Sequence, residues 1–231
     1  MTTPDWGVAS AHYDDAAAAM GMDAPPPIVD RVPRGSRVLD LGCSVGQLAR
    51  HLVDRGCTVV GVELDGDAAE RARQWCAEVH PGDLDLVHLP DVLGDDRFDV
   101  IVAADVLEHL RDPGRLLREA RSLLRPGGTL VTTVPNIAHG SVRLALLSGR
   151  FDYADLGIMD RTHLRFFTRA TLGELFRISG YDVVSIEPLE LPVELGVPYE
   201  AKALPRGVEK AVKKMADAEA YSFLLVARPD R

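Results

Sequence analysis

A chain of 231 residues with 46% hydrophobic side chains can build one sizeable core, and no run approaches the 18 apolar residues of a membrane-spanning helix. A formal net charge of −9 argues against a broad phosphate-binding face and so against a nucleic-acid partner. Three cysteines without a CxxC pair point to neither a disulfide framework nor a zinc finger; no secretory signal is read in the early acids, and a cytoplasmic location is expected.

In chain order, residues 1–34 carry HYDDAAAAM and PPPIVDRVP and read as a short helical cap over one edge of a sheet. The run RVLDLGCSVGQLARHL (37–52) opens that sheet. Val38, Leu39 and Leu41 form a short buried strand, Gly42 and Gly46 bracket a tight turn, and Leu48, Leu52 and Val53 continue at helical spacing. A strand, a glycine turn and a helix N-terminus suit a ligand's polar end, because glycine lets backbone approach closely. A second strand is expected at 57–64, a helix at 65–79, and a third strand at LDLVHL (84–89). FDVIVAAD (98–105) is the fourth strand, DPGRLLREARSLL (112–124) a helix stopped by RPGG, and TLVTTVP (129–135) the fifth strand. This is the βαβ rhythm of a parallel sheet covered on both faces.

After Pro135 the rhythm breaks, and 136–168 mixes His139, Arg143, Arg150, Tyr153, Asp160, Arg161, His163, Arg165 and Phe166. That is too polar for core and too rich in rings for a linker. A helix resumes at 168–180 with Thr168 as a candidate cap, a sixth strand follows at 181–190, a short basic helix at 207–218, and a last strand at 221–229. The two final strands can form an antiparallel edge. The expected fold is α/β: a Rossmann-like doubly wound seven-stranded sheet in one domain, with a cofactor-binding core at 35–135, a lid insertion at 136–170 after the fifth strand, and C-terminal helices and strands at 171–231.

Glu63 lies about 20 residues past the glycine turn, where an acid grips ribose hydroxyls. A dinucleotide fingerprint would place glycine where Ser44 stands, and no tyrosine has lysine four residues on, which argues against a nicotinamide dehydrogenase. The segments VLDLGCSVGQLA, GVELD, FDVIVAADVLEHLRDP and LLRPGGTLVTTVPN, in this order, resemble the motifs of class I S-adenosylmethionine-dependent methyltransferases. The resemblance covers most of 30–190. It implies a seven-stranded sheet whose last strand is antiparallel. It also implies a cofactor site made of Asp40, Gly42, Ser44 and Gly46, of Glu63 on the ribose and Leu64 on the adenine, of Asp91 with Val92 at the adenine amino group, and of Ala104 and Asp105 at the methionine end. Tyr13 from the N-terminal cap completes the set.

Methyl transfer to a hydroxyl needs an in-line acceptor and removal of a proton. His109, His139 and His163 are the candidate bases at one expected rim. The Asn/Asp-Pro-Pro-aromatic signature of amino-DNA methylation is absent. GRFDYADLGIMDRTHLRFFT (149–168) is similar to a group of bacterial glycan and glycoside methyltransferases. Arg143, Tyr153, Asp160, Arg161 and Phe166 are then the expected acceptor-binding residues, with Gly140, Gly149 and Gly157 permitting lid closure. DVLEH resembles the E-x-x-E-H run of quinone-pathway O-methyltransferases, which implies a magnesium ion on Asp105, Glu108 and His109; on a helix these share a face. The leading expectation is O-methyl transfer to a sugar or glycoside. A phenolic or other natural-product acceptor and a catalytically inactive cofactor-binding accessory protein are the alternatives, and a homodimer is left open.

Overall fold

The computed structural model describes residues 27–230. Seven strands form one sheet in the order β3-β2-β1-β4-β5-β7-β6. They are β1 (Arg37–Leu41), β2 (Thr58–Glu63), β3 (Glu78–Pro81), β4 (Phe98–Ala104), β5 (Leu124–Pro135), β6 (Tyr181–Glu190) and β7 (Ala220–Pro229). The pairs among β1 to β5 are parallel, and β7 runs antiparallel to both β5 and β6. The expected doubly wound sheet with an antiparallel last strand is the observed one.

Side-chain alternation explains the two covered faces. Leu39, Leu41, Val60, Val62 and Ile101 join α4 (Pro113–Leu123) and α6 (Arg169–Ile178) through Leu116, Leu117, Leu172 and Phe176. Val38, Val59, Val100, Val102 and Val131 point the other way, onto α1 (Gln47–Val53), α2 (Gly66–Ala72) and a 3-10 turn at Pro27–Arg31. That turn packs Ile28, Val29 and Val32 on the sheet face; the rest of the expected N-terminal cap, Tyr13 included, lies outside the described residues. No helix among the described residues is long and apolar enough to cross a membrane.

Four local expectations are corrected. The expected helix at 65–79 ends at Ala72, and the third strand is Glu78–Pro81 rather than 84–89. In LDLVHL, Leu84 and Leu89 are buried in the core from a turn that leads into α3 (Leu89–Leu93). Its apolar residues serve packing, while the short edge strand beside β2 needs little apolar character. The lid also contains an unexpected helix, α5 (Gly140–Leu147). The basic segment at 207–218 is helical only over α7 (Val208–Val212).

Candidate active site

Parallel pairing sets the site. Leu41 lies beside Val62, Asp40 beside Val102, and Ala104 beside Thr133, so the carboxyl ends of β1, β2, β4 and β5 share one rim. At such a rim, an open α/β sheet binds its ligands.

The glycine turn works differently from the expectation of open space for a ligand. Gly42 and Gly46 both have φ near +80° (74° and 81°), a region costly for residues with a Cβ. A Cβ on Gly42 would stand 2.9 Å from Val106 Cγ2, and one on Gly46 would stand 3.1 Å from Ala72 Cα. Protein, not ligand, fills the space beside these glycines. Their effect is to let the turn close onto α2 and the β4 rim.

Glu63 is buried at the end of β2 and ties two turns together. One carboxylate oxygen accepts the Ser44 N–H at 2.8 Å, and the other accepts the Asp65 N–H at 2.8 Å. A carboxylate offers about four acceptor positions, so it can serve ligand hydroxyls as well. Asp40 is buried on the α1 face of β1. Ser44 (φ 46°) and Asp105 (φ 51°) are two of only three non-glycine residues with positive φ among the described residues. Strain of this kind concentrates at ligand-binding positions. A buried carboxylate between two turns and strained polar residues at two strand ends fit the ribose and the amino-acid end of S-adenosylmethionine.

At the adenine end, Leu64 is 55% exposed, an apolar surface beside Glu63. Asp91 does not follow β3. It sits exposed in the first turn of α3, 3.1 Å from the His88 ring, with Val92 half-buried beside it. The acid just past the observed β3 is Asp83, half-buried next to Gly82, whose N–H donates to the Glu63 carbonyl at 2.7 Å. The sequence signal for Asp83 is the tight PGDLD run, masked by the more strand-like LDLVHL that follows it.

The three candidate histidines separate. His139 is fully buried and caps α5: its Nδ1 lies 2.7 Å from Ser141 Oγ, and its Nε2 donates to the Leu191 carbonyl at 2.9 Å. Both ring nitrogens are committed to structure. His109 and His163 meet edge-on, with ring centroids 4.8 Å apart. Thr162 Oγ1 donates to Asp160 Oδ1 at 2.6 Å, so it accepts from His109 Nδ1 at 3.1 Å. His163 Nδ1 donates to the Ile158 carbonyl at 3.2 Å. Burial lowers the pKa of each ring, which keeps both neutral near pH 7. Thr162, which orients His109, lies within the 149–168 segment but is not among the residues singled out there.

Glu108 completes this cluster. It is 1% exposed, and neither carboxylate oxygen has a hydrogen-bond partner among the described residues. Burial, followed by the nearby Asp105 charge, pushes its carboxyl well above the usual range. Its main-chain carbonyl accepts the N–H groups of Leu164 and Arg165, fastening the lid to the β4 rim. The expected Asp105–Glu108–His109 face is corrected. Residues Leu107–His109 form a single 3-10 turn, Asp105 lies before it in a left-handed conformation, and the atoms that converge belong to Glu108, His109 and His163.

The expected acceptor residues also divide. Tyr153 lines a cavity of about 290 Å³ with Leu156, Ile158, Met159, Val197 and Tyr221. Phe166 packs edge-on between Phe151 and His163. Asp160 is buried and bonded to Thr162, while Arg161 pairs with Asp155 at 2.5 Å. Arg143 points elsewhere, to the Ala216 carbonyl at 2.9 Å and a second cavity near Arg169. Gly140 and Gly157 are packing positions, close to Val193 and the Tyr221 hydroxyl respectively, rather than open hinges. Cys43 is no nucleophile: a hydrogen bond with Cys76 and burial push its thiol far up.

A family model described as a methyltransferase domain matches residues 12–186. Ubiquinone biosynthesis O-methyltransferase of Bradyrhizobium sp. (strain ORS 278) is 30% identical over 118 residues, 51% of this chain and 47% of that protein. The protein of the same name from Pseudomonas entomophila is 26% identical over 156 residues, 66% of this chain and 67% of that one. The matched segments thus span from about half to about two thirds of these relatives' own length. These relatives are named for ubiquinone biosynthesis, so the narrower likeness of 149–168 to glycan enzymes is not what they carry. Among solved structures, a chain of the complex between the Haloferax volcanii Trm112 methyltransferase activator and a methyltransferase superposes with TM-score 0.66, at 20% identity, covering 96% of both chains. The TehB-like methyltransferase of Corynebacterium glutamicum superposes with TM-score 0.59, at 17% identity, covering 96% of this chain and 98% of that one. With the fold, the rim and a family model spanning most of the sequence in agreement, the chain belongs to the class I S-adenosylmethionine-dependent methyltransferases.

Proposed function

We propose that the protein transfers a methyl group from S-adenosylmethionine to a phenolic hydroxyl. The observation that carries the choice of acceptor is the lid cavity. Its walls are mainly apolar and aromatic, from Tyr153, Leu156, Ile158, Met159, Val197 and Tyr221. An aromatic ring matches such walls better than a sugar, whose hydroxyls need unengaged polar partners. The polar lid residues are largely occupied: Asp160 by Thr162, Arg161 by Asp155, and Arg150 by Asp152 and Glu200. The names of the relatives support the same class of acceptor.

In this reading Glu63 accepts the ribose hydroxyls, Leu64 covers one adenine face, and Asp83 takes the adenine amino group in place of Asp91. Asp40, Ser44, Ala104 and Asp105 border the methionine end, on the turn that Gly42 and Gly46 shape. The bound cofactor supplies an electrophilic methyl and a good leaving group. The residues of 136–170 hold the acceptor ring and exclude water, so that its oxygen lies in line with the methyl. His163 connects the two parts, because Ile158, which holds its Nδ1, also lines the cavity. The hydroxyl loses its proton at the Glu108–His109–His163 cluster. His139 has no part in this, since its nitrogens hold α5.

The test is methyl transfer by the full chain to a catechol-bearing aromatic and to a simple glycoside, with the methylated position read by mass spectrometry. Methylation of the phenolic oxygen is expected. Transfer to the glycoside alone, or to neither, would remove this reading.

A further inference from the structure

Two imidazoles and one carboxylate converge where the lid meets the β4 rim. One ligand atom from each of Glu108, His109 and His163 lies within 4.8 Å of the other two. The family resemblance implied magnesium on Asp105, Glu108 and His109, and the residues present do not fit it. Asp105 stands outside the group, in a left-handed conformation before the turn that carries Glu108 and His109. A donor set with two nitrogens is also a poor match for a hard ion that prefers six oxygens in an octahedron.

We propose that Glu108, His109 and His163 form a site for one divalent transition-metal ion of the zinc and cobalt class, to which the lid contributes a ligand through His163. Three observations point to it. Glu108 is buried with both oxygens unpartnered among the described residues, a costly state that a cation relieves. Each imidazole donates its Nδ1–H to an anchoring oxygen, Thr162 Oγ1 for His109 and the Ile158 carbonyl for His163. That arrangement fixes the tautomer with the lone pair on Nε2, as in histidines that ligate metals. Imidazole with carboxylate is the donor set of borderline divalent ions.

Ligand atoms about 3.4 Å apart suit bonds of about 2.1 Å at tetrahedral angles. The 4.8 Å cluster therefore has to draw in by up to about 1.4 Å, a movement that a loop can make. His163 lies in the loop segment beside Leu164 and Arg165, whose N–H groups already bond the Glu108 carbonyl, so a bound ion would staple the lid to the rim. In this assignment the two imidazoles are ligands, which replaces the base role expected of them. Such an ion lowers the pKa of a hydroxyl that it holds. The inference goes beyond the methyl-transfer reading, because binding requires neither cofactor nor acceptor.

The experiment uses untagged, chelator-treated full chain titrated with zinc, cobalt or magnesium ions by calorimetry, with cobalt absorption recorded in parallel. One equivalent of zinc or cobalt is expected to bind at least ~100-fold more tightly than magnesium. Visible cobalt bands should indicate four or five ligands. His163→Ala and Glu108→Gln should each weaken zinc by at least ~10-fold, and Asp105→Asn should leave it unchanged. If His163→Ala does not fold, His163→Gln is read in its place. The proposal is overturned if the wild type takes up no zinc or holds magnesium as tightly. It is overturned equally if either cluster variant binds zinc normally, as adventitious binding by surface histidines would, or if Asp105→Asn abolishes binding. Methyl transfer is measured separately on the same samples. Activity without metal uptake defeats the metal site alone, and metal uptake without activity defeats the proposed function alone.

Discussion

At the scale of single residues, Glu63 carries the most consequence. Its carboxylate receives the Ser44 and Asp65 N–H groups and in the proposed mode also the ribose. Hydrogen bonds to a charged group contribute about 1.5–3 kcal/mol each. Glu63→Ala is therefore expected to weaken S-adenosylmethionine by at least ~10-fold in calorimetry, since ~1.4 kcal/mol is tenfold. Asp83 and Asp91 give a sharper comparison. Asp83 follows β3 beside the Glu63 turn, whereas Asp91 points outward from α3 next to His88. Asp83→Ala should weaken the cofactor about 3–10-fold, within the range of one lost hydrogen bond, and Asp91→Ala should leave it unaltered. The reverse ranking would restore the expectation read from the sequence.

At the scale of elements, two connections bear on the lid. Helix α6 begins where the lid ends, and Thr168 and Thr171 bond reciprocally in a capping box. Thr168→Ala should cost about 1 kcal/mol of stability, measured by denaturant unfolding, with cofactor affinity unaffected. Nearby, Arg169 forms two-pronged hydrogen bonds to Asp217 at the entry to β7. The Arg169 hydrogen bonds hold the Asp217 carboxyl below its ordinary value, with the Arg169 and Arg143 charges acting in the same direction. A carboxyl whose pKa is lower folded than unfolded binds fewer protons in the native state. Its contribution is full above the unfolded value of about 3.9 and is lost as pH falls through the folded one. Asp217 has φ 57°, which asparagine tolerates, so Asp217→Asn isolates the charge. Unfolding midpoints across pH should show a wild-type advantage at about pH 5–7 that shrinks toward about pH 2–3. A constant difference across that range would mean the pair is not the cause.

At the scale of the whole molecule, the cofactor rim gathers residues from β1, β2 and β4, so a ligand there couples elements distant in sequence. Native-state binding at about 100 times its dissociation constant stabilises by about 2.7 kcal/mol. For a chain of this size that corresponds to a rise in Tm of about 5–10 °C. Both S-adenosylmethionine and its demethylated product should produce it, read by calorimetric melting. Absence of a shift at concentrations shown to saturate the protein would contradict a site that spans these strands.

Much of the sheet and its cofactor turn is legible in the sequence because it is local. The apolar runs of β1, β2, β4 and β5, the left-handed glycine turn and the Thr168 cap each depend on a few adjacent residues, and period and propensity act at that range. Glu63 is legible for the same reason, as an acid ending an apolar strand. The third strand is not, because LDLVHL satisfies a strand's composition while its leucines are used to fill the core from a turn. Edge pairing with β2 selects the less apolar Glu78–Pro81 instead. The chemistry at the rim is legible as a list of residue types and illegible as an arrangement. His109, His139 and His163 look alike in sequence, yet the chain's path buries His139 as a cap and brings His163 against Glu108 and His109. Which lid side chain meets which strand end depends on closing a long loop, a contact that neighbouring residues do not encode. The sequence by itself determined the sheet's central strands, its glycine turn and its family. Only the tertiary structure decided which acid follows the third strand and which three side chains share the centre.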